Sequence, residues 1–524
     1  MKLKLIVLSV VVLTGLLGFT FGNDPGTSTT PVAVDKNYLR ANLTYLASDE
    51  VGGREAGTVG EKLAADFIAS ELDKYGVKPF GDNGTYFNNF TLLVTTPDPS
   101  AYVQLLDKKG NAVKNYRQKM EIVTSSKHTS ALNTEAQLVF AGYGIDAPEY
   151  GYNDYQNLDV KGKIVLVLDG EPSNDDPKFF DGKKATKYAR VAEKINIAVS
   201  KGAVSVITTT SSLKRFSWSQ LIGFWTRAGF SIDRPNNTSI SPYAIVPDSI
   251  MSELLGGSKY SLADLQKMSE ANEKLPVFSL NSKVRMNIPK PIIERRNAKN
   301  VIGIIEGTDP VLKNEYVAVS AHYDHDGTHD GEVYNGADDD GSGTVGVLEI
   351  GRLFAKNKTN KRSVLVVFHT AEEKGLLGSE YLSDTSPLLK NMVGLINMDM
   401  IGRESVDSIH VIGSDRLSTE YHKLIVEANK RTVNMTMDFK YNAPNDPNRF
   451  YFRSDHFNYA RKGVPIVFFF DDMRKEYHRP TDDVHLINFD KIAKVATLSY
   501  SILEEVANLD HRLVVDGVVD SSGR

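Results

Sequence analysis

The chain has 524 residues, with 61 basic side chains against 66 acidic and a formal net charge of −5. No long basic run is present, so the charge pattern excludes an electrostatic footprint for nucleic acid. Cysteine is absent, which excludes disulfides and thiolate sites and leaves any metal to His, Asp and Glu. Length predicts two to four domains, and an apolar content of 41% suffices for large cores.

Lys2 and Lys4 precede an almost unbroken apolar run over 5–19, and Thr20 and Gly22 are small residues suited to cleavage. This predicts a secretory signal peptide over 1–22, the run being short for a bilayer span. An uncleaved anchor is the second reading. Cleavage would leave an exported protein, periplasmic or secreted, with no stable membrane span. Residues 23–35 are rich in Thr, Pro and Gly and read as a flexible leader. Asn-x-Ser/Thr sites at Asn42, Asn83, Asn89 and Asn237 matter only in a host that glycosylates.

Leu39, Leu43 and Leu46 share one face of a predicted helix. A glycine-rich loop follows, in which Arg54 either faces a site or ties the loop down. Thr58 and Glu61 fit a capping box, and the spacing of Leu63, Ala64, Phe67, Ile68, Leu72 and Tyr75 predicts a helix ended by Gly76. Texture changes over 101–284. Short β-rich pieces at 101–106, 136–143, 164–168 and 204–208, with a helix at 185–200, predict an inserted domain that shapes access. Within it, Phe216, Trp218, Phe224, Trp225 and Phe230 are expected in its core, since aromatics mostly bury.

The catalytic part is expected over 36–100 and 285–512, with a tail at 513–524. Strands are predicted at 301–305, 316–321, 364–368, 393–398 and 464–470, and a helix at 344–355. Their continuous apolar runs are those of strands buried on both faces. Strands alternating with helices predict an α/β fold with a mixed, largely parallel sheet flanked by helices.

The densest polar stretch, residues 320–343, holds three His and seven acidic residues between a strand and a helix. Divalent ions need several lone pairs converging on one point, so this loop is expected to supply half of a two-zinc hydrolytic site. Four strands lead into metal-type side chains: His322 with Asp324, Glu372 with Glu373, Asp399, and Tyr477 with His478. In open α/β sheets ligands bind beyond the carboxyl ends of strands.

These residues carry a resemblance to the zinc peptidases of metallopeptidase family 28, which includes aminopeptidases and glutamate carboxypeptidases. The matching pieces are A-H-Y-D, G-A-D-D-D-G-S-G, T-A-E-E-K-G-L-L-G-S, N-M-D-M-I-G and E-Y-H-R-P-T-D, in the family's order. G-Y-G-I, D-V-K-G-K-I-V-L-V and K-G-A resemble the protease-associated domain inserted in many members. The resemblance implies His322 and Asp399 on one zinc, Glu373 and His478 on the other, and Asp339 bridging both. It implies Glu372 as general base and Tyr477 as a stabiliser of the tetrahedral intermediate.

Two cations about 3.5–4 Å apart clamp a bridging water and lower its pKa to about 7. Glu372 must then stay free of metal to move the proton. Asp324 is placed to accept the other ring N–H of His322. Asp338 and Asp340 flank Asp339 and compete with it for the bridging position. His456 and Arg453 are candidate substrate contacts. His325, His329 and His369 are read as local hydrogen-bonding groups, Met398 and Met400 as strand core, and Glu404 as solvated. D-H-D-G-T-H-D-G lacks the full ligand spacing and terminal Glu of an EF-hand calcium loop. No G-x-S-x-G occurs, which argues against a serine mechanism.

Zinc is the expected ion, and cobalt or manganese suits the same donors. The resemblance favours an aminopeptidase acting on peptides over a carboxypeptidase or dipeptidase. A receptor-like protein without chemistry is disfavoured by the intact ligand set. The Arg295–Arg296 pair could be misread as a carboxylate site. The charged run 471–476 differs from the apolar or His-containing version common in relatives, which leaves the specificity pocket open.

Overall fold

The computed structural model describes residues 32–213, 216–235, 239–403 and 405–519. The expected signal peptide, the leader up to residue 31, Asn237 and Glu404 lie outside the described residues. Among the described residues no helix is long and apolar enough to cross a membrane.

The fold is α/β. Among the described residues ten strands form the main sheet, nine in the order Gly229–Ile232, Phe87–Thr96, Ile292–Ile305, Ser363–His369, Tyr316–His322, Met392–Met398, Ile466–Phe470, Ser408–Ile412 and Thr436–Asp438. Lys78–Pro79 adds to Ile292–Ile305. The four middle strands, from Ser363–His369 to Ile466–Phe470, run parallel, and the strands flanking them are antiparallel.

Side-chain alternation explains why this sheet is covered on both faces. Val317, Val319, Ala321, Val364, Val366 and Phe368 enter one core with the helices Lys36–Leu46, Val59–Lys74, Gly343–Asn357 and Phe489–Asn508. Ala318, Leu365 and Val367 enter another with Leu382, Phe457 and Tyr459. Burying each large apolar side chain stabilises by about 1.5–3 kcal/mol. The parallel strands therefore sit on a stiff base, and their carboxyl ends come level, with His322 beside His369.

An eight-stranded second sheet is built from residues 102–288, in the order Ala112–Arg117, Tyr102–Leu106, Val277–Ile288, Leu132–Ala141, Ile164–Val167, Ser205–Thr208, Ala244–Ile245 and Val123–Thr124. It has its own core around Leu138, Phe140, Leu166 and Val284. Its helix is shorter than expected, Val191–Ser200, because Thr186 caps a separate turn and Arg190 is extended. One strand leaves this unit: Gly229–Ile232 pairs with Phe87–Thr96 at the edge of the main sheet.

Two local expectations need correction. The aromatic stretch is not core: Phe224 is 70% exposed, Phe216 is exposed, and Trp218, Trp225 and Phe230 are half-buried. Helix Trp218–Trp225 buries only Leu221, and the Trp218 indole N–H donates to the Met120 carbonyl at 3.1 Å. Thr58 also forms no capping box. Its hydroxyl donates to the Glu55 carbonyl, while Glu61 turns inward to accept from the Tyr323 hydroxyl and the Lys299 N–H. A buried carboxylate satisfied by two donors outweighs a solvent-facing cap.

Candidate metal centre

Three consecutive acids, Asp338, Asp339 and Asp340, open the turn before helix Gly343–Asn357, and all three are buried. Hydrogen bonds separate their roles. Asp340 accepts from the backbone N–H groups of His322, Gly343 and Met400. Asp338 accepts from the Gly402 N–H at 2.8 Å. The Asp482 carboxylate accepts from the N–H groups of Asp338 and Asp339, which holds the turn itself. Gly336, at φ +54, lets the chain pass close to His325, where a Cβ would come within 2.5 Å of the ring. Arg54 ties the loop down: its buried guanidinium donates to the carbonyls of Leu46, Tyr323, Asn335 and Gly336.

Asp339 is thereby left to face the imidazoles. His322 Nε2 lies 3.3 Å from Asp339 Oδ1 and 3.5 Å from Asp399 Oδ1. His478 Nε2 lies 3.3 Å from Asp339 Oδ2 and 3.1 Å from Glu373 Oε2. One carboxylate thus turns its two oxygens to two different His side chains. A tetrahedral ion with bonds of about 2.0–2.2 Å sets its ligand atoms roughly 3.3–3.6 Å apart. The separations around His322 and between His478 and Asp339 fall in that range, His478 and Glu373 are slightly closer at 3.1 Å, and the oxygen–nitrogen donor set suits zinc. The buried His478 Nε2 has no hydrogen-bond partner among the described residues, as suits a nitrogen kept for a metal.

Charge follows the same plan. Burial alone would lower the His322 imidazole, but Asp399, Glu372 and Asp339 outweigh it and hold the ring well above its ordinary value. Burial would raise Asp339, yet the adjoining His322 and His478 hold it well below the carboxylate range. Glu372 goes the other way: burial pushes it well above that range, with Glu373 and Asp399 adding to the rise against His322. Burial also pushes Asp324 up to about 7.

Around these groups lies a small cleft of about 30 Å³. His322, Asp339, Glu372, Glu373 and Asp399 form its floor, and Met400, Phe450, Phe468, Phe470 and Met473 give it apolar walls. Tyr477 and Arg453 also line it. The Arg453 guanidinium sits 4.9 Å from the centre of the Phe450 ring. Met398 and Met400 are both core as expected, and Met400 also lines the pocket.

His456 does not reach the pocket. It is fully buried, stacked on Phe468 with ring centroids 4.5 Å apart, and its Nε2 is bonded to the Tyr451 carbonyl. Asp324 also differs from expectation. His322 Nδ1 lies 3.1 Å from the Asp324 main-chain carbonyl and 3.7 Å from its carboxylate, which instead accepts the Glu372 N–H.

His325 is a local hydrogen-bonding group as expected, its Nδ1 2.9 Å from Glu373 Oε1. Two contributors escape the sequence reading: Asp326 Oδ2 lies 3.1 Å from His478 Nδ1, and the Ser454 hydroxyl donates to Asp399 Oδ2 at 2.6 Å. The run H-Y-D-H-D holds the signal for Asp326, as an alternation of imidazole and carboxylate. Ser454 has no such signal. Arg295 and Arg296 pair with Asp233, Glu294 and Glu55, so neither is a free carboxylate receptor.

The model of peptidase family M28 matches residues 300–503. Leucine aminopeptidase 1 of Sclerotinia sclerotiorum is 30% identical over 224 residues, covering 39% of this chain and 55% of that protein. The chain thus spans about half the length of such fungal relatives. Aminopeptidase YwaD of Bacillus subtilis is 23% identical over 475 residues, covering 89% of this chain and 84% of the relative. The solved aminopeptidase from Aneurinibacillus sp. strain AM-1 shares the fold, with a TM-score of 0.57 at 18% identity over 93% of this chain and 97% of that one. Residues 300–503 are thus similar to peptidase family M28, the family whose motifs the chain carries.

Proposed function

We propose that the protein is a zinc-dependent aminopeptidase that removes N-terminal residues from peptides, with two ions held by His322 and Asp399 on one side, Glu373 and His478 on the other, and Asp339 between them. The observation that carries this is the shared carboxylate, 3.3 Å from an imidazole on each side. Relatives named as aminopeptidases support the choice of reaction.

Zinc, when bound, supplies Lewis acidity and brings water within reach of deprotonation near neutral pH. The rest falls to the protein. Glu372 lies 3.9 Å from His322 Nε2, and its raised proton affinity suits a group that takes a proton from the attacking water. It then returns that proton to the leaving amine. Asp324 fixes the backbone of Glu372 through its N–H. The Tyr477 hydroxyl, pushed up by burial, stays protonated and donates to the developing oxyanion. The apolar walls exclude water and receive an apolar side chain. Export through the apolar segment 5–19 belongs to the same proposal, on the charge and length of that segment.

Arg453 favours a second reading, a carboxypeptidase, because it is a cation on the pocket wall that could meet a terminal carboxylate. Peptides blocked at either end separate the two. The aminopeptidase predicts cleavage that survives C-terminal amidation and stops on N-acetylation. The opposite pattern would establish the carboxypeptidase reading instead.

A further inference from the structure

The loop between His322 and Asp339 carries one more carboxylate beside the site. Asp326 Oδ2 lies 3.1 Å from His478 Nδ1, the ring nitrogen opposite the one that faces Asp339 and Glu373. His478 needs such a partner. It stands on a connecting loop, with φ +53, and its side chain is one-third exposed. No strand or helix fixes its ring. The neutral imidazole also has two tautomers, of which only one leaves Nε2 with a lone pair.

Asp326 is itself held from the far side. The Lys374 ammonium lies 3.9 Å from Asp326 Oδ1 and 3.3 Å from Glu55 Oε1, and it sits over the Phe230 ring at 5.3 Å. The preceding residue, His325, is buried against Glu373. The carboxylate therefore meets His478 from an anchored stretch of chain.

We propose that Asp326 is a positioning residue for His478: it accepts the Nδ1–H, and so fixes the tautomer and the ring direction that present Nε2 to an ion shared with Glu373 and Asp339. This rests on the reading of His478 as a zinc ligand. A carboxylate behind a ligating imidazole typically contributes 10–100-fold in metal affinity.

The test is a competition titration of zinc against a chromophoric chelator, on the full chain. Asp326→Ala should weaken one of the two ions about 10–100-fold and leave the other unchanged. Asp326→Asn keeps an acceptor oxygen and should fall between that variant and wild type. In a His478→Ala background, Asp326→Ala should add no further weakening, because its effect runs through that ring. A further loss of the same size there would overturn the proposal, as would wild-type affinity in Asp326→Ala when His478→Ala loses an ion. Unchanged zinc binding in His478→Ala would instead overturn the ligand assignment beneath it. Nitrogen-15 shifts of the His478 ring in zinc-loaded wild type supply a check without mutation. A proton on Nδ1 is expected, and a proton on Nε2 overturns the proposal.

Discussion

The two sides of the proposed metal centre are built differently. His322 closes one parallel strand and Asp399 follows the next, where the sheet and its two cores set the backbone. Their side chains are 1% and 10% exposed, and Ser454 holds the outer oxygen of Asp399. Glu373 and His478 stand on loops, and His478 is 33% exposed. A ligand placed by a packed strand is ordered before the ion arrives. A ligand on a loop relies on neighbouring side chains and on the ion itself, and loops open at lower free energy than core strands. The strand side should therefore hold its ion more tightly, and the loop side should exchange first.

Removing what the two sides share should do most. Asp339→Ala is expected to lose both ions, read as zinc content after gel filtration. Retention of one full equivalent would mean that Asp339 serves a single side. Glu372→Gln comes next: turnover should fall about 10²–10⁴-fold with zinc content near wild type. Equal loss of metal would put Glu372 among the ligands.

Stepwise chelation then compares the sides directly. One equivalent should leave early and the second late, and His478→Ala should abolish only the early phase. An early phase that persists in His478→Ala and vanishes in His322→Ala would reverse the comparison. Ser454→Ala should loosen the late ion about tenfold. The smallest effect on the site is expected from the second sheet. Phe140→Ala should cost about 3–5 kcal/mol of stability in denaturant unfolding while zinc content stays unchanged.

The same contrast explains what the sequence could tell. The strand side was legible because continuous apolar runs at 316–321 and 393–398 end in His322 and Asp399, and burial on both faces forces that pattern. The resemblance points to Asp339 among three acids, and the hydrogen bonds that occupy Asp338 and Asp340 give the physical reason. The partner of His478 was not legible, since Asp326 lies 152 positions away in sequence and meets it only through the fold. His456 misled because polar side chains near a motif can also turn into the core, here against Phe468. The aromatic stretch over 216–230 misled in the other direction. A short helix with one buried residue keeps its rings at the surface, and the general tendency of aromatics to bury is no rule for each of them.

Anomalous diffraction at the zinc edge, from crystals of the zinc-loaded protein, tests the central claim most directly. The account predicts two peaks about 3.5–4 Å apart on either side of Asp339, one bound by His322 and Asp399, the other by Glu373 and His478. A single peak, or peaks that do not share Asp339, would contradict it.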